Sequence, residues 1–284
     1  MSRIITALFA LPFLYLTLVL PYYIPQYFEA KIPFIITAIV ALVMALFEFF
    51  TFTKTLGLKA DASIGFLGAT AFFVAFIFDA PSNFPDLLSL TVALFVIAVL
   101  ISQMFRYAKI SDFKGLLTSC GVTILGVLYV VYLGGFLISM RVGFENQPGL
   151  STKLLLFFFL VLMMGDVFAL YTGKTVGKHK LAPKISPGKT WEGCAGGFIA
   201  SLTFATIASF TFFPELKWQI ALPLAAAMNV LGVLGDLAES AMKRGANAKD
   251  AARLLPGHGG LLDRLDSLLF NAPLLYYFAR FYFS

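Results

Sequence analysis

The chain has 284 residues, of which 60% are apolar and only 13% are charged, and its formal net charge is +6. A soluble domain carries about 25% charged residues, so this composition argues against a soluble globular protein. A positive charge can indicate nucleic-acid binding, but here the apolar residues form long unbroken runs. These runs predict a membrane protein without a nucleic-acid partner.

Nine apolar runs are candidates for transmembrane helices. A span needs about 20 apolar residues, and continuous runs favour helices over the alternating strands of a barrel. The first run is longer than the apolar region of a signal peptide and no A-x-A-like site follows it, so we interpret it as a retained span. The predicted fold class is an all-α polytopic membrane protein with about nine transmembrane helices. The runs cover residues 4–24, 33–53, 63–79, 87–104, 116–139, 154–173, 194–213, 218–237 and 267–283.

The distribution of lysine and arginine predicts the orientation of these spans. If the N-terminus is cytoplasmic, 16 of the 21 basic residues lie on the cytoplasmic side. By the positive-inside rule, this bias predicts a cytoplasmic N-terminus, an outward C-terminus and a multi-pass location in the cell inner (cytoplasmic) membrane. A basic cytoplasmic face would also attract anionic lipid headgroups. The basic residues on the other side are Lys31, Arg141, Lys153, Lys217 and Arg280.

Residues 1–115 are predicted to form four N-terminal transmembrane helices joined by short loops. The candidate for chemistry in this region is Glu48, which lies inside the second apolar run. A lone carboxylate within a membrane is a candidate functional group by default. The interpretation that we favour is a neutral or hydrogen-bonded carboxyl that faces another helix.

Residues 116–152 are predicted to form a middle helix and its exit loop. They contain the pair Gly134-Gly135, and small residues let membrane helices approach one another closely. Two uses of the pair remain open, namely contact with a second copy in a homodimer and ordinary packing within the chain. The two cysteines, Cys120 and Cys194, fall in predicted spans and form neither a disulfide framework nor a metal-ligand pair.

Residues 153–284 are predicted to be the C-terminal catalytic region, because the polar residues concentrate there. Two loops, near residues 174–193 and 238–266, hold 10 of the 21 basic residues and open on the same side of the membrane. Asp166 lies inside a predicted span, and such an acid is costly unless it faces a polar cavity. A Gly-Lys-Thr sequence at 188–190 resembles part of a phosphate-binding P-loop, but the full spacing fails.

The second loop carries polar residues at helical spacing. Asp236, Ser240 and Lys243 follow one another at i, i+4 and i+7, so a helix would place them on one stripe. Arg244 lies one turn past Ser240. Glu239 and Lys243 are also four residues apart, and a surface ion pair is the alternative interpretation of that spacing.

Two carboxylates lie at the start of the last predicted span. Asp263 and Asp266 are separated by three residues, so both leave one face of the helix. Gly259 and Gly260 precede that helix, where they would let a phosphate approach backbone N–H groups. Carboxylates bind Mg²⁺, which commonly bridges to substrate phosphates, while lysine and arginine neutralise phosphate oxygens. His258 could bind a phosphate, act as an acid or base, or shape the turn.

The stretch at residues 240–266, SAMKRGANAKDAARLLPGHGGLLDRLD, closely resembles the signature of phosphatidate cytidylyltransferases, also called CDP-diacylglycerol synthases. Asp166 and the segment SPGKTWEGCAGG resemble the other polar segment of that family. The sequence departs from the family at Ala251 and Ala252, where the family often has a serine and another small residue. No hydroxyl role is therefore assigned to those two positions.

The resemblance implies a nucleotidyltransferase of phospholipid biosynthesis that makes CDP-diacylglycerol and pyrophosphate from CTP and phosphatidic acid. The implied cofactor is Mg²⁺, with a second cation left open, and the implied partners are the two substrates and the lipid bilayer. We expect the metal to be held by Asp236, Asp263 and Asp266. The residues expected to be catalytic are Asp263, Asp266, Lys249 and Asp250. The residues expected to bind substrate are Lys243, Arg244, Ser240, His258, Gly259, Gly260, Lys189 and Arg264.

Two other functions remain open. A CTP-dependent lipid kinase would use the same Mg²⁺ and basic groups, but it would transfer the γ-phosphoryl group and release CDP. A secondary transporter also uses intramembrane acids and broken helices, but here the polar clusters lie at one membrane face and no inverted repeat is found. The active site is expected on the cytoplasmic side in either enzyme.

Overall fold

A computed structural model describes residues 15–19, 31–78, 87–110, 113–144, 147–245 and 260–283. These residues are mostly helical, and residues 180–190 contain a two-stranded antiparallel sheet. The helices are α1 (Ile32–Thr55), α2 (Ala62–Phe78), α3 (Leu87–Ile110), α4 (Leu116–Val142, with a π-helical turn at Val127–Tyr132), α5 (Leu150–Thr175), α6 (Trp191–Phe210), α7 (Trp218–Gly245) and α8 (Leu262–Tyr282). The strands are β1 (Lys180–Ala182) and β2 (Ser186–Thr190).

Six helices in the described part of the chain are long and apolar enough to cross a membrane, namely α1, α3, α4, α5, α6 and α7. The helix α2 is apolar but has 17 residues, and α8 carries several charged side chains. The chain is therefore a multi-pass membrane protein. Eight of the nine predicted spans overlap α1 to α8, and the span at 4–24 lies mostly outside the described residues. Nine crossings and a cytoplasmic N-terminus stay predictions.

The chain divides into two compact units. The first comprises Met1–Ser151 and Asp250–Leu265, and the second comprises Thr152–Lys249 and Asp266–Ser284. The first unit thus combines the N-terminal half of the chain with a later segment, and the second combines an internal part of the chain with its C-terminal residues. The functional regions predicted with boundaries at residues 115 and 152 stay a prediction.

Aromatic side chains fill the first unit between α2 and α4. The Phe76 ring packs on Phe136 with ring centroids 5.1 Å apart, and Phe72 packs on Tyr132 with centroids 5.9 Å apart. Gly135 lies against the same cluster, because a Cβ atom added there would come within 2.1 Å of the Phe76 ring. The prediction of intrachain packing is therefore confirmed for Gly135, whereas a homodimer stays a prediction.

The buried Arg141 connects residues 15–19 to the end of α4 through hydrogen bonds. Arg141 donates from Nη2 to the carbonyl oxygens of Thr17 at 3.0 Å and of Leu18 at 2.9 Å. Burying a charged group is costly unless hydrogen bonds replace its hydration. The two carbonyls thus stabilise the guanidinium while the guanidinium holds the N-terminal segment in place.

A polar network joins the loop between α1 and α2 to α3 and α4. The Asp61 carboxylate accepts hydrogen bonds from Ser102 Oγ at 3.0 Å and from Gln103 Nε2 at 2.7 Å. The Asp61 backbone N–H donates to Thr123 Oγ1 at 2.9 Å, and Ser119 Oγ donates to Gln103 Oε1 at 2.8 Å. None of these residues was singled out from the sequence, because the partners of Asp61 lie 41, 42 and 62 residues away in the chain.

Glu48 of α1 is buried and hydrogen-bonded, so the favoured interpretation of this residue is confirmed. Its two carboxylate oxygens accept the backbone N–H groups of Leu261 at 3.0 Å and of Leu262 at 2.9 Å. The first N–H groups of a helix have no partner within the helix. Glu48 supplies that partner for α8, and a negative charge at a helix N-terminus is also favoured by the helix dipole.

In the second unit, α6 and α7 pack together through small and polar side chains. Asn229 Nδ2 of α7 donates to Ser201 Oγ of α6 at 3.1 Å, and Ser201 Oγ in turn donates to the carbonyl oxygen of Val161 at 3.2 Å. Hydrogen bonds of this kind between helices satisfy polar groups that lie within apolar spans. These two bonds connect the middle parts of α5, α6 and α7.

The hairpin formed by β1 and β2 connects α5 to α6. Lys180 pairs with Thr190 and Ala182 pairs with Ser186 in the antiparallel register. At the end of β2, the Thr190 side chain accepts the backbone N–H of Gly193 at 3.1 Å and so caps the N-terminus of α6. The hairpin is thereby fixed to the first turn of a membrane-spanning helix.

Candidate functional site

Three carboxylates of the second unit interact with one another electrostatically, and we call them the carboxylate cluster. They are Asp166 of α5, Asp236 of α7 and Asp266 of α8. Asp266 is buried, whereas the Asp166 and Asp236 side chains keep exposed surface. Like charges at close range oppose one another, so a cluster of this kind needs positive charge nearby.

Two glycines position the cluster, because each immediately precedes one of its carboxylates. A Cβ atom at Gly235 would lie 2.6 Å from the backbone oxygen of Asp266, and one at Gly165 would lie 2.6 Å from Ser201 Oγ. Only glycine has room at such close approaches between helices. The helices α7 and α8 can therefore touch through their backbones where two of the carboxylates lie.

Lys189 provides positive charge at the cluster. Its Nζ lies 2.7 Å from Oδ2 of Asp236 and 3.5 Å from the carbonyl oxygen of Val233. Lys189 also interacts electrostatically with Asp166 and Asp266. The strand β2 presents this lysine one residue before the cap of α6. Lys189 was expected to bind substrate, and that role stays a prediction.

Hydroxyl groups complete the surroundings of the carboxylates. Ser240 Oγ donates to Oδ1 of Asp236 at 3.2 Å, so the predicted stripe on α7 is confirmed for these two residues. The Ser267 hydroxyl is hydrogen-bonded to Asp166, and the Ser267 backbone N–H donates to Oδ1 of Asp266 at 2.6 Å. The cluster is thus tied together by side chains from three helices.

Lys243, the third residue of the predicted stripe, forms an ion pair with Glu239. Its Nζ lies 2.6 Å from Oε2 of Glu239, and the exposed fractions of the two side chains are 16% for Lys243 and 2% for Glu239. The pair predicted from the i, i+4 spacing is therefore present, but it is buried and not on the surface. Lys243 consequently has a structural role as well as its predicted role in binding phosphate.

Replacing Lys243 with methionine should destabilise the folded protein. Breaking a fully buried ion pair costs about 3–5 kcal/mol, and the partial exposure of Lys243 lowers our expectation to about 2 kcal/mol. The measurement is the thermal unfolding of purified protein, compared with Lys217→Met, which removes an exposed lysine of the same unit. Unchanged unfolding together with weaker CTP binding would mean that Lys243 serves only as a phosphate ligand.

Arg244 connects the end of α7 to the hairpin. It is exposed, and its Nε donates to the carbonyl oxygen of Ile185 at 3.1 Å. This bond uses one of the five N–H donors of the guanidinium. Binding of phosphate by Arg244 stays a prediction.

The remaining predicted site residues lie near the start of α8 or before it. Asp263 and Arg264 occupy the first turn of α8, and Gly260 lies just before it and is buried. Their proposed roles, including the convergence of Asp263 with Asp236, stay predictions. Lys249, Asp250, His258 and Gly259 lie outside the described residues.

The donor atoms of the carboxylate cluster fit the Mg²⁺ that the sequence led us to expect. Mg²⁺ prefers oxygen ligands, and three carboxylates with two neighbouring hydroxyls supply oxygen alone. Among the described residues, one ammonium group, that of Lys189, interacts with the three carboxylates, so the cluster would attract a cation. In the described ranges, no three or more His, Cys, Asp or Glu side chains form a group that could hold a metal ion as they stand, so the fit lies in the chemistry of the donor atoms and not in their spacing.

Comparison with known proteins places the chain in a family. The model of the cytidylyltransferase family matches residues 1–282. The chain belongs to the cytidylyltransferase family. A relative named phosphatidate cytidylyltransferase from Bacillus subtilis (strain 168) is 32% identical over 282 residues, which cover 97% of this chain and 96% of the relative.

Relatives of the same name match the chain more closely over shorter lengths. The phosphatidate cytidylyltransferase of Haemophilus influenzae is 41% identical over 144 residues, or 49% of each chain. That of Staphylococcus haemolyticus is 46% identical over 121 residues, or 43% of this chain and 46% of the relative. The family membership therefore rests on the whole chain, and the strongest identity rests on about half of it.

The sequence did not assign a role to two residues of the candidate site, Asp166 and Ser267. Asp166 was noted as a costly charge within a span, but its partners on α7 and α8 could not be identified from spacing. Ser267 was not singled out, although it directly follows Asp266. The signal that could have found both is a polar side chain within an apolar run, because such groups need partners inside the protein.

Proposed function

We propose that this chain is a phosphatidate cytidylyltransferase, which transfers the cytidylyl group of CTP to phosphatidic acid and so makes CDP-diacylglycerol for phospholipid biosynthesis. The observation that carries the proposal is the carboxylate cluster with Lys189 inside a membrane-embedded unit. Such a cluster is suited to a reaction between polyanions, because it can recruit a cation. The relatives named above carry the same activity in their names and support the choice of substrates.

In this reaction, a phosphate oxygen of the lipid attacks the α-phosphorus of CTP. A new P–O–P bond joins the two phosphorus atoms, and the bond from the α-phosphorus to the β-phosphate oxygen breaks, so pyrophosphate leaves. The lipid phosphate is already largely ionised near neutral pH, so no strong base is needed. The protein must hold two polyanions in line and neutralise them, which is a task of positioning and electrostatics.

The proposed roles of the residues follow from this task. Mg²⁺ would be held by Asp236, Asp263 and Asp266 with Asp166 beside them, and it would supply positive charge to the phosphates. Lys189 orients Asp236, and Ser240 donates to the same carboxylate, so both keep that side chain in a fixed rotamer. Phosphate binding is proposed for Lys243, Arg244, Lys249, Arg264, His258, Gly259 and Gly260, and a catalytic role is proposed for Asp250.

The proposal includes the placement of the enzyme in the membrane. Nine spans, a cytoplasmic N-terminus and an active site at the cytoplasmic face of the inner membrane agree with the bias of lysine and arginine. With this orientation, CTP reaches the site from the cytoplasm and phosphatidic acid reaches it from the bilayer. A homodimer is proposed as the assembly state.

Label from the α-phosphate of CTP should enter the lipid, and label from the γ-phosphate should appear in pyrophosphate. The experiment incubates purified protein with phosphatidic acid and CTP labelled at either position, and it separates lipid from water-soluble products. Label that enters the lipid from the γ position alone would establish a CTP-dependent lipid kinase in place of the transferase. A protein without either activity that moves a solute across vesicles would be a transporter.

A further inference from the structure

The hairpin segment from Lys174 to Glu192 carries an excess of positive charge that the reaction does not use. It contains five lysines and one acid, Glu192. Lys189 is held at the carboxylate cluster through Asp236. In the part of the chain that the structure describes, the other four lysines form no ion pair. These exposed lysines, which we call the hairpin lysines, are Lys174, Lys178, Lys180 and Lys184.

The acid of this segment, Glu192, binds backbone N–H groups and a histidine ring and not the lysine ammonium groups. The Glu192 carboxylate accepts the backbone N–H groups of Lys178 at 3.1 Å and of His179 at 3.2 Å. It also lies 2.6 Å from Nδ1 of the His179 ring. Glu192 therefore serves to fold the hairpin back on the start of α6, and it leaves the ammonium groups of the hairpin lysines available to a ligand.

Hydrogen bonds hold the backbone of the hairpin in a defined conformation. The Trp191 backbone N–H donates to the carbonyl oxygen of His179 at 2.9 Å, which closes the base of the hairpin. The Ile185 N–H donates to the carbonyl oxygen of Ala182 at 3.1 Å, and Ile185 accepts the hydrogen bond from Arg244. A surface that is already ordered loses less conformational entropy when it binds a ligand.

The place of the hairpin between two apolar helices predicts that it lies at the level of the lipid headgroups. It joins the end of α5 to the start of α6, and both helices are long and apolar enough to span a membrane. Trp191 is 61% exposed and Tyr171 is 64% exposed, on the two sides of the hairpin in the sequence. Tryptophan and tyrosine are enriched at the membrane–water interface, so these side chains place the hairpin lysines at headgroup level.

We propose that the hairpin lysines form a binding surface for anionic phospholipids, separate from the carboxylate cluster. Phosphodiester headgroups are negative and lie at the same depth as the lysines, whereas the lysine next to the cluster is already engaged by Asp236. A lysine near an anionic membrane surface favours a negative lipid about fivefold. Four ordered lysines would gather anionic lipids around the hairpin.

The chain itself offers the probe for a test, because it has two tryptophans. Trp218→Phe leaves Trp191 at the base of the hairpin, and Trp191→Phe leaves Trp218, which is 44% exposed at the opposite end of the neighbouring spans. Each full-length variant is reconstituted in phosphatidylcholine vesicles. A minor fraction of the lipid is either brominated phosphatidylglycerol or brominated phosphatidylcholine, and tryptophan quenching is measured. Phosphatidylglycerol is chosen because it is not the proposed substrate.

We expect Trp191 to be quenched more strongly by the anionic brominated lipid, and Trp218 to be quenched equally by both. The preference at Trp191 should disappear in concentrated salt, which screens exposed charges. It should also disappear when the four hairpin lysines are replaced by glutamine. In that variant, unchanged quenching by brominated phosphatidylcholine shows that the hairpin still lies at the membrane.

Equal quenching of Trp191 by the two lipids in dilute salt would overturn the proposal. So would a preference that CTP abolishes, because the lysines would then bind nucleotide phosphates. A preference that survives the four glutamine substitutions would assign the anionic lipid to other residues. None of these outcomes depends on cytidylyl transfer, so the proposal can fail while the proposed function stands.

Discussion

Asp236→Asn is expected to lower kcat for CDP-diacylglycerol formation by at least about a hundredfold, which is the usual effect of removing one preorganised electrostatic group from an active site. Asparagine keeps the shape of the side chain and an oxygen that Ser240 can donate to. It removes the negative charge that Lys189 and a cation would share. The chain should therefore remain folded while the phosphates lose their positioning.

The matched control is Glu215→Gln, which makes the same change of charge elsewhere in the second unit. Glu215 lies in the loop between α6 and α7, and its Oε1 is 2.5 Å from Nζ of Lys153. Turnover of this control should equal that of the unchanged protein. The assay measures initial rates in mixed micelles, and gel filtration verifies that each variant is folded. A rate for Asp236→Asn within tenfold of the control would remove Asp236 from the site.

Glu48→Ala is expected to destabilise the protein by about 3 kcal/mol. The substitution leaves the N–H groups of Leu261 and Leu262 without their acceptor, and an unsatisfied buried donor costs about 1–3 kcal/mol. The first turn of α8 also carries Asp263, so its fraying should reduce turnover as well. Glu48→Gln should have an intermediate effect, because its amide has one acceptor oxygen in place of two.

Thermal unfolding of the purified chain measures this effect, and Thr51→Ala is the matched control on the same helix. Thr51 is one turn further along α1, and its hydroxyl donates to the carbonyl oxygen of Phe47. Losing that local bond should change the unfolding temperature little. If Glu48→Ala unfolds at the same temperature as Thr51→Ala, the bonds to the start of α8 contribute nothing to stability.

The positions of the helices were largely predictable, because long apolar runs have few alternatives in a membrane. The run at 33–53 became Ile32–Thr55, and the run at 87–104 became Leu87–Ile110. The ends were less predictable, since a helix continues beyond the apolar core when its own side chains support it. The predicted span 218–237 extends to Gly245 in the structure.

The candidate site was predictable where its contacts are local in the chain. The bond from Ser240 to Asp236 follows from a spacing of four residues. The contact between Lys189 and Asp236 does not, because 47 positions separate the two residues, and the hairpin that carries Lys189 has no apolar periodicity. Asp61 escaped notice for the same reason, since its partners on α3 lie 41 and 42 residues away.

During biosynthesis, Glu48 leaves the ribosome long before the amides that it binds, because 213 residues separate it from Leu261. At about 5–20 residues per second, that separation corresponds to roughly 10–40 s of chain elongation. Helices α1 to α4 are complete for most of this interval, while the carboxyl within α1 has no native donor. The unit that is begun first is thus completed only after residues 152–249 of the second unit have been made. A chain that stops before residue 261 differs physically from the finished protein. In that chain, the Glu48 carboxyl lies inside an apolar span without the two backbone N–H groups that bind it in the finished protein.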